Sequence, residues 1–148
     1  MALPSDSLAP DFTLPATSMQ SVRLSDQWKT GPVVLFFFPK AFTTVCTAEA
    51  CAFRTAFPEF QQIEATVYGI SRDSVAKLTQ FKNDYQLPFD LLSDKKGTVC
   101  RQYDALIPIV KIPKRLTYVV GADGRIKSSI SKMLQADVHI QHALQNMV

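Results

Sequence analysis

One short stretch of this 148-residue sequence carries the residue types that nucleophilic redox chemistry needs. Cys46 follows an apolar run and opens a segment of good helix formers, so we expect it in the first turn of a helix. There the unpaired backbone N–H groups and the positive end of the helix dipole favour the thiolate, the nucleophilic form of cysteine. Pro39 stiffens the preceding loop, and the hydroxyl of Thr43 can reach the sulfur or a substrate oxygen. The pattern predicts a reactive cysteine; the alternative is a buried structural cysteine beside a helix start.

The neighbours of Cys46 predict the shape and charge of the site. Phe38 and Phe42 are expected to form an apolar rim that limits water and touches substrate. Glu49, three residues after Cys46, is expected to face the same site and to contact substrate. Because a carboxylate close to the sulfur disfavours the thiolate, a cation must offset its charge. The candidate cations in the sequence are Lys40, Arg54 and Arg115.

Cys51 lies five residues after Cys46 on the same predicted helix. On an ideal helix this spacing separates the two Cα atoms by roughly 8.7 Å, whereas a disulfide needs them within about 7 Å. The two cysteines can therefore join only if at least one helical turn unwinds, which suits a catalytic pair better than a structural staple. The third cysteine, Cys100, is interpreted as a small apolar packing residue.

Composition and charge argue against several other classes of protein. Sixteen basic and thirteen acidic residues give a net charge of +3, and the basic residues are scattered, so we expect no nucleic-acid binding. The longest apolar stretch, residues 32–39, is less than half the length that spans a bilayer, and the N-terminus lacks the pattern of a secretory signal. We therefore expect a cytoplasmic protein without a membrane segment. His139 and His142 lie far along the chain from Cys46 and Cys51, so we expect no metal site and interpret both histidines as surface or packing residues.

Hydrophobic patterning predicts the elements that must position these residues. Residues 11–14 and 22–25 alternate like the strands of an N-terminal hairpin, and residues 32–38 are apolar on both faces, as in a central covered strand. A helix is predicted over 46–57, which Pro58 ends or kinks before a second segment over 59–65. The other predicted strands are 66–70, 89–92, 116–120 and 125–130, and the other predicted helices are 75–85 with Ser74 as its cap, 98–103 and 137–147.

The order of these elements predicts a single α/β domain over residues 1–148, with a mixed central β-sheet flanked by helices and an N-terminal hairpin. This arrangement is typical of a thioredoxin-like fold rather than a doubly wound sheet. Since strand 32–38 leads into the helix that carries Cys46, the cysteine is expected at the carboxyl edge of the sheet, where open α/β folds place their chemistry.

At this point the sequence resembles a known family. Pro39, Thr43 and Cys46 spell Pro-x-x-x-Thr-x-x-Cys, the active-site motif of peroxiredoxins. The longer stretch over 36–54, FFFPKAFTTVCTAEACAFR, is similar to the bacterioferritin-comigratory-protein branch, also called peroxiredoxin Q. The similarity extends to residues 9–14, 68–71, 89–94 and 115–124.

The resemblance implies a thiol-dependent peroxidase that reduces hydrogen peroxide and organic hydroperoxides in antioxidant defence. It implies that Cys46 is the peroxidatic cysteine, which becomes a sulfenic acid, that Thr43 hydrogen-bonds the peroxide and that Pro39 shields the sulfur. Arg115 matches the family's active-site arginine, and Cys51 matches the resolving cysteine of members that carry both cysteines on one helix.

The resemblance further implies that thioredoxin or a glutaredoxin-type donor reduces the resulting disulfide, that no metal or organic cofactor takes part, and that the protein is a monomer. Two other functions remain open at this stage. A thiol–disulfide oxidoreductase acting on proteins is one, although the sequence has no Cys-x-x-Cys pair. A redox-sensing binding module on the same fold is the other.

Overall fold

The apolar and turn-forming segments of the chain fold into alternating strands and helices. The computed structural model describes residues 2–131, so the predicted helix over 137–147, with His139 and His142, lies outside the described residues. The strands are β1 (Thr13–Pro15), β2 (Ser21–Arg23), β3 (Val33–Phe37), β4 (Thr66–Ser71), β5 (Leu91–Ser93), β6 (Leu116–Val120) and β7 (Ile126–Ile130). The helices are α1 (Leu24–Trp28), α2 (Thr44–Gln62), α3 (Val75–Tyr85) and α4 (Thr98–Gln102).

The main sheet has the strand order β5-β4-β3-β6-β7. Strands β3, β4 and β5 are parallel, while β6 pairs antiparallel with β3 and β7 pairs antiparallel with β6. Strands β1 and β2 form a separate antiparallel hairpin. The mixed sheet and the N-terminal hairpin are as the sequence predicts.

Strand β3 lies at the centre of the sheet and is buried on both faces. Its side chains alternate between two cores: Leu35 and Phe37 enter one, while Val34 and Phe36 enter the other. Helix α2 covers the second core, where the rings of Phe36 and Phe53 stack with centroids 4.5 Å apart. The prediction of a covered central strand is confirmed, and its carboxyl end leads directly towards α2.

Helix α2 runs without interruption through Pro58, so the prediction that the proline ends the helix and begins a second segment is wrong. Pro58 is exposed, so water can bond the carbonyl that the proline ring leaves without a helical donor. Phe53 and Phe60, on either side of the proline, are fully buried, and their ring centroids lie 5.9 Å apart. Packing of the apolar face that carries Phe53 and Phe60 stabilises a single helix, although helix propensity alone predicts two segments.

The predicted strand over 22–25 is too long, because helix α1 begins at Leu24. Asp11 accounts for the early start: its Oδ1 accepts a hydrogen bond from the backbone N–H of Ser25, at 2.9 Å, and so satisfies a donor in the first turn of α1. That carboxylate comes from a distant residue, which the local alternation of residues 22–25 cannot reveal. At α3 the local signal suffices, since Ser74 Oγ accepts from Lys77 N at 3.2 Å, as an N-cap does.

Across the described residues, every helix is too short or too polar to cross a lipid bilayer.

Candidate active site

Cys46 is the third residue of α2, as the sequence predicts for a cysteine in the first helical turn. The chain leaves β3, passes through residues 39–43 and enters α2 at the carboxyl edge of the sheet. The side chain of Cys46 is 1% exposed, so the sulfur lies beneath the surface at the positive end of a 19-residue helix.

Arg115 supplies the cation at this sulfur. It immediately precedes β6, whose first residue Leu116 pairs with Phe37 at the end of β3, so strand pairing alone brings Arg115 to the carboxyl edge. Its Nη2 donates to Cys46 Sγ at 3.1 Å, and its Nη1 lies 3.2 Å from Glu49 Oε1. A guanidinium in this position stabilises negative charge on the sulfur.

The other two candidate cations lie elsewhere. Lys40 is exposed in the loop before α2, and Arg54 Nη1 donates to the backbone carbonyl of Tyr85 at 2.6 Å. Of the three basic residues that the sequence offers, Arg115 is the one in contact with both Cys46 and Glu49.

Glu49 is fully buried beside the arginine. Burial raises the pKa of its carboxyl to about 7, although the positive charge and hydrogen bond of Arg115 act in the opposite direction. When it is ionised, this carboxylate neutralises part of the Arg115 charge. Its contact with Nη1 orients the guanidinium of Arg115, and the predicted contact of Glu49 with substrate stays a prediction.

Arg115 has a further donor that is buried at this site. Its Nε is buried and has no hydrogen-bond partner among the described residues. A buried donor of this kind carries a desolvation cost that an incoming oxygen can relieve. The arginine can thus bind an oxygen of a substrate while it holds the sulfur.

The loop over 39–43 covers the entry to α2. Thr43 has an extended backbone just before the helix, and its hydroxyl donates to the carbonyl of Lys40 at 2.7 Å. The hydroxyl hydrogen of Thr43 is thus used within the loop, and the hydroxyl oxygen keeps lone pairs that can accept a hydrogen bond from a substrate. The predicted reach of Thr43 to the sulfur or to a substrate oxygen stays a prediction. Pro39 is half-buried at the start of the loop.

The two predicted rim phenylalanines have different environments. Phe42 is 40% exposed and packs edge-on against Phe81 of α3, with centroids 5.0 Å apart. Phe38 is 1% exposed and stacks on Phe36 inside the core. The Phe38 ring therefore belongs to the core beneath the sheet edge, whereas Phe42 lies at the surface where a rim is expected; the predicted contact of either ring with substrate stays a prediction. Both lie in an apolar run, and the sequence cannot tell which side chain turns outward.

The other two cysteines differ sharply from each other. Cys51 is half-buried on α2 and its thiol is free, as are those of Cys46 and Cys100. In an uninterrupted helix the Cα atoms of Cys46 and Cys51 are separated by roughly 8.7 Å, which is too far for a disulfide. Cys100 is fully buried, and burial together with nearby Asp94 raises the pKa of its thiol strongly, which keeps it protonated.

Sequence reasoning missed one residue that contacts this region. Asp73 follows β4, and its Oδ2 accepts from the backbone N–H of Ala41, in the loop over 39–43, at 2.8 Å. A usable signal exists in the sequence: an acidic residue two positions after a buried parallel strand lies at the same sheet edge as the end of β3.

Comparison with known proteins decides the family. The family model described as the AhpC/TSA family matches residues 6–129. The chain belongs to the AhpC/TSA family. Among curated relatives, a putative peroxiredoxin bcp of Coxiella burnetii is 38% identical over 138 residues, which cover 89% of this chain and 90% of that protein. A peroxiredoxin Q of Oryza sativa, named as chloroplastic, is 37% identical over 140 residues, covering 94% of this chain and 64% of that protein.

Solved structures agree with this assignment. The crystal structure of peroxidoxin BcpB from Mycobacterium tuberculosis matches with a TM-score of 0.91 and 37% identity, covering 97% of this chain and 95% of that one. A PrxQ mutant from Xylella fastidiosa matches with a TM-score of 0.86 and 25% identity, covering 98% and 95%. The resemblance read from the sequence is confirmed: this AhpC/TSA member is a peroxiredoxin with a thioredoxin-like fold, and hence a thiol-dependent peroxidase.

Proposed function

We propose that Cys46 is the peroxidatic cysteine of this peroxidase and that Cys51 resolves its oxidised form. The observation that carries the proposal is the contact of Arg115 Nη2 with Cys46 Sγ, 3.1 Å long, in the first turn of α2. A cation and a helix N-terminus act on the same sulfur, and both stabilise a thiolate. Cys51 and Cys100 have no comparable contact among the described residues.

In the first step the Cys46 thiolate attacks one oxygen of the peroxide O–O bond. The S–O bond forms as the O–O bond breaks, the sulfur is oxidised to a sulfenic acid, and the other oxygen leaves with the electron pair. The leaving oxygen takes up a proton and departs as water or an alcohol. Arg115 stabilises the negative charge that develops on this oxygen, and its unpartnered Nε is an available donor for it.

The loop over 39–43 orders the peroxide for this attack. Thr43 can accept a hydrogen bond from the peroxide O–H, since its own hydroxyl hydrogen is donated to the carbonyl of Lys40. Pro39 and Phe42 border the entry and limit water around the sulfur. A site in which Cys46 is 1% exposed admits a small hydroperoxy group more readily than a bulky one. The proposed substrates are hydrogen peroxide and organic hydroperoxides.

In the second step the Cys51 thiol attacks the sulfenic sulfur. The S–S bond forms, the S–O bond breaks, and the hydroxyl group leaves as water with the Cys51 proton. Because intact α2 separates the cysteines beyond disulfide geometry, its first turns must unwind. A dithiol protein of the thioredoxin or glutaredoxin type then reduces the disulfide and is itself oxidised to a disulfide.

A peroxide-consumption assay with purified protein, thioredoxin, thioredoxin reductase and its electron donor tests this assignment. We expect turnover in the wild type, none in Cys46→Ser, and a single reaction without cycling in Cys51→Ser. Cys100→Ser is the matched control, because this buried thiol is assigned to packing, and it should turn over like the wild type. Full turnover in Cys46→Ser would overturn the assignment.

The same preparations separate the rival functions. A thiol–disulfide oxidoreductase would reduce insulin disulfides without consuming peroxide, and a binding module would do neither. We further propose a monomer located in the cytoplasm, which size-exclusion chromatography with light scattering and fractionation of cells test.

A further inference from the structure

Asp73 lies in the turn between β4 and α3, and its side chain is 9% exposed. Its Oδ2 accepts hydrogen bonds from Ala41 N and from Ser71 Oγ, each at 2.8 Å. Its Oδ1 lies 3.4 Å from Lys77 Nζ, one helical turn further on. A nearly buried carboxylate thus reaches across the sheet edge to a backbone N–H of the loop over 39–43.

The bond reaches the middle of the loop that borders Cys46. Ala41 is 1% exposed, and the next residue, Phe42, has a φ of 68°, in the left-handed region that bulky side chains rarely adopt. Such a conformation persists only when surrounding contacts hold it. The structure provides two of them: the Asp73 bond to Ala41 and the packing of Phe42 on Phe81 of α3.

The N-terminus of α3 does not depend on the Asp73 carboxylate for its cap. Ser74 already caps the helix, since its Oγ accepts from Lys77 N. The turn that contains Asp73 is also fastened through its backbone, because Ser93 Oγ donates to the Asp73 carbonyl at 2.6 Å. Two contacts of the carboxylate, with Ser71 and Lys77, lie within its own turn and helix, and the third, with Ala41 N, joins this anchored turn to the loop over 39–43.

We propose that Asp73 is a positioning residue of the peroxidase, holding the loop over 39–43 in the conformation that reacts with peroxide and opposing its release. This inference rests on the proposed roles of Cys46 and Cys51. The loop leads directly into the turn of α2 that must unwind before Cys51 can reach Cys46, so a tether at Ala41 favours the folded, peroxide-reactive state. Loss of the Asp73–Ala41 hydrogen bond is expected to slow the reaction of Cys46 with peroxide and to speed the attack of Cys51 on the sulfenic acid.

Two reactions compete for the sulfenic acid, and their ratio measures how readily the loop over 39–43 and the first turns of α2 are released. Either Cys51 attacks it and water leaves, or a second peroxide molecule oxidises it to a sulfinic acid and is itself reduced to water. In Asp73→Ala we expect the rate constant with hydrogen peroxide to fall about tenfold, the worth of one hydrogen bond. We also expect faster formation of the Cys46–Cys51 disulfide and less sulfinic acid at high peroxide, measured by quenched-flow mass spectrometry.

Two further variants separate the role of the Ala41 hydrogen bond from the other contacts of Asp73. Asp73→Asn retains an acceptor for Ala41 N but loses the charge. It should therefore slow Cys46 oxidation and speed disulfide formation by smaller factors than Asp73→Ala does. If Asp73→Ala does not fold, the Asp73→Asn rates test the proposal. Lys77→Met removes the ion pair while leaving the Ala41 bond, and should match the wild type. A merely structural defect would slow both steps, and that result, or no change in either step, would overturn the proposal. If the wild type itself forms no Cys46–Cys51 disulfide, the proposed function fails instead.

Discussion

The Arg115→Lys substitution keeps a positive charge near Cys46 but cannot keep both contacts of the guanidinium. In the native site Nη2 bonds the sulfur at 3.1 Å while Nη1 contacts Glu49 at 3.2 Å. A single ammonium group on a flexible chain reproduces one of these contacts at a time. Because Glu49 is fully buried and anionic when it loses its proton, the lysine is expected to pair with Glu49 and leave the sulfur.

The expected loss follows from the contact that disappears. A hydrogen bond to a charged group contributes about 1.5–3 kcal/mol, and about 1.4 kcal/mol corresponds to a tenfold change in rate. Arg115→Lys should therefore react with hydrogen peroxide about 10- to 150-fold more slowly. Arg115→Met should lose at least as much, while the absence of the cation raises the pKa of Glu49 further and leaves its carboxyl neutral.

Quenched-flow mass spectrometry of the pre-reduced protein measures this rate directly as the oxidation of Cys46. Arg54→Lys is the matched control, because that arginine contacts the carbonyl of Tyr85 and should leave the rate unchanged. Circular dichroism and thermal unfolding establish that each variant is folded. An Arg115→Lys protein that is folded and reacts as fast as the wild type would refute the assignment of Arg115 to the sulfur.

Three other predictions concern the surroundings of the site. Since the pKa of Glu49 is raised from 4.5 to about 7, the folded protein retains a proton that the unfolded chain has lost, so the free energy of unfolding should fall between pH 4.5 and 7. Glu49→Gln should flatten this decline, as urea titrations across that pH range would detect; an unchanged slope would contradict the assignment. Phe38→Ala removes a buried ring and should lower the free energy of unfolding by about 3–5 kcal/mol in urea titrations, whereas Phe42→Ala should alter the KM for bulky hydroperoxides more than stability. Cys100→Ala should keep the ability to form the Cys46–Cys51 disulfide, and its loss would show that the buried thiol takes part.

Local patterns predict the parts of the fold that local chemistry determines. The buried run at Val33–Phe37, the cap at Ser74 and the hairpin of β6 and β7 follow from side-chain types and their spacing. The prediction of two helical segments around Pro58 is wrong because packing of Phe53 and Phe60 outweighs the proline. That packing joins residues from different elements, which a reading along the chain does not see.

The candidate site divides in the same way. Cys46 and its helical turn follow from the sequence, because the strand, the loop and the helix are contiguous. The choice of Arg115 among three cations depends on the antiparallel pairing of β3 with β6, and the resemblance to peroxiredoxins favours it where composition alone leaves it open. Asp73 was missed since its bond to Ala41 spans 32 positions of the chain.

The most direct test of the account is the intact mass of the reduced protein before and after one equivalent of hydrogen peroxide, with peptide mapping of any new bond. We expect the loss of two hydrogen atoms and a disulfide that joins Cys46 to Cys51. A gain of one oxygen atom at Cys46 without a disulfide would contradict the role of Cys51, and an unchanged mass would contradict the assignment of Cys46 as the peroxidatic cysteine.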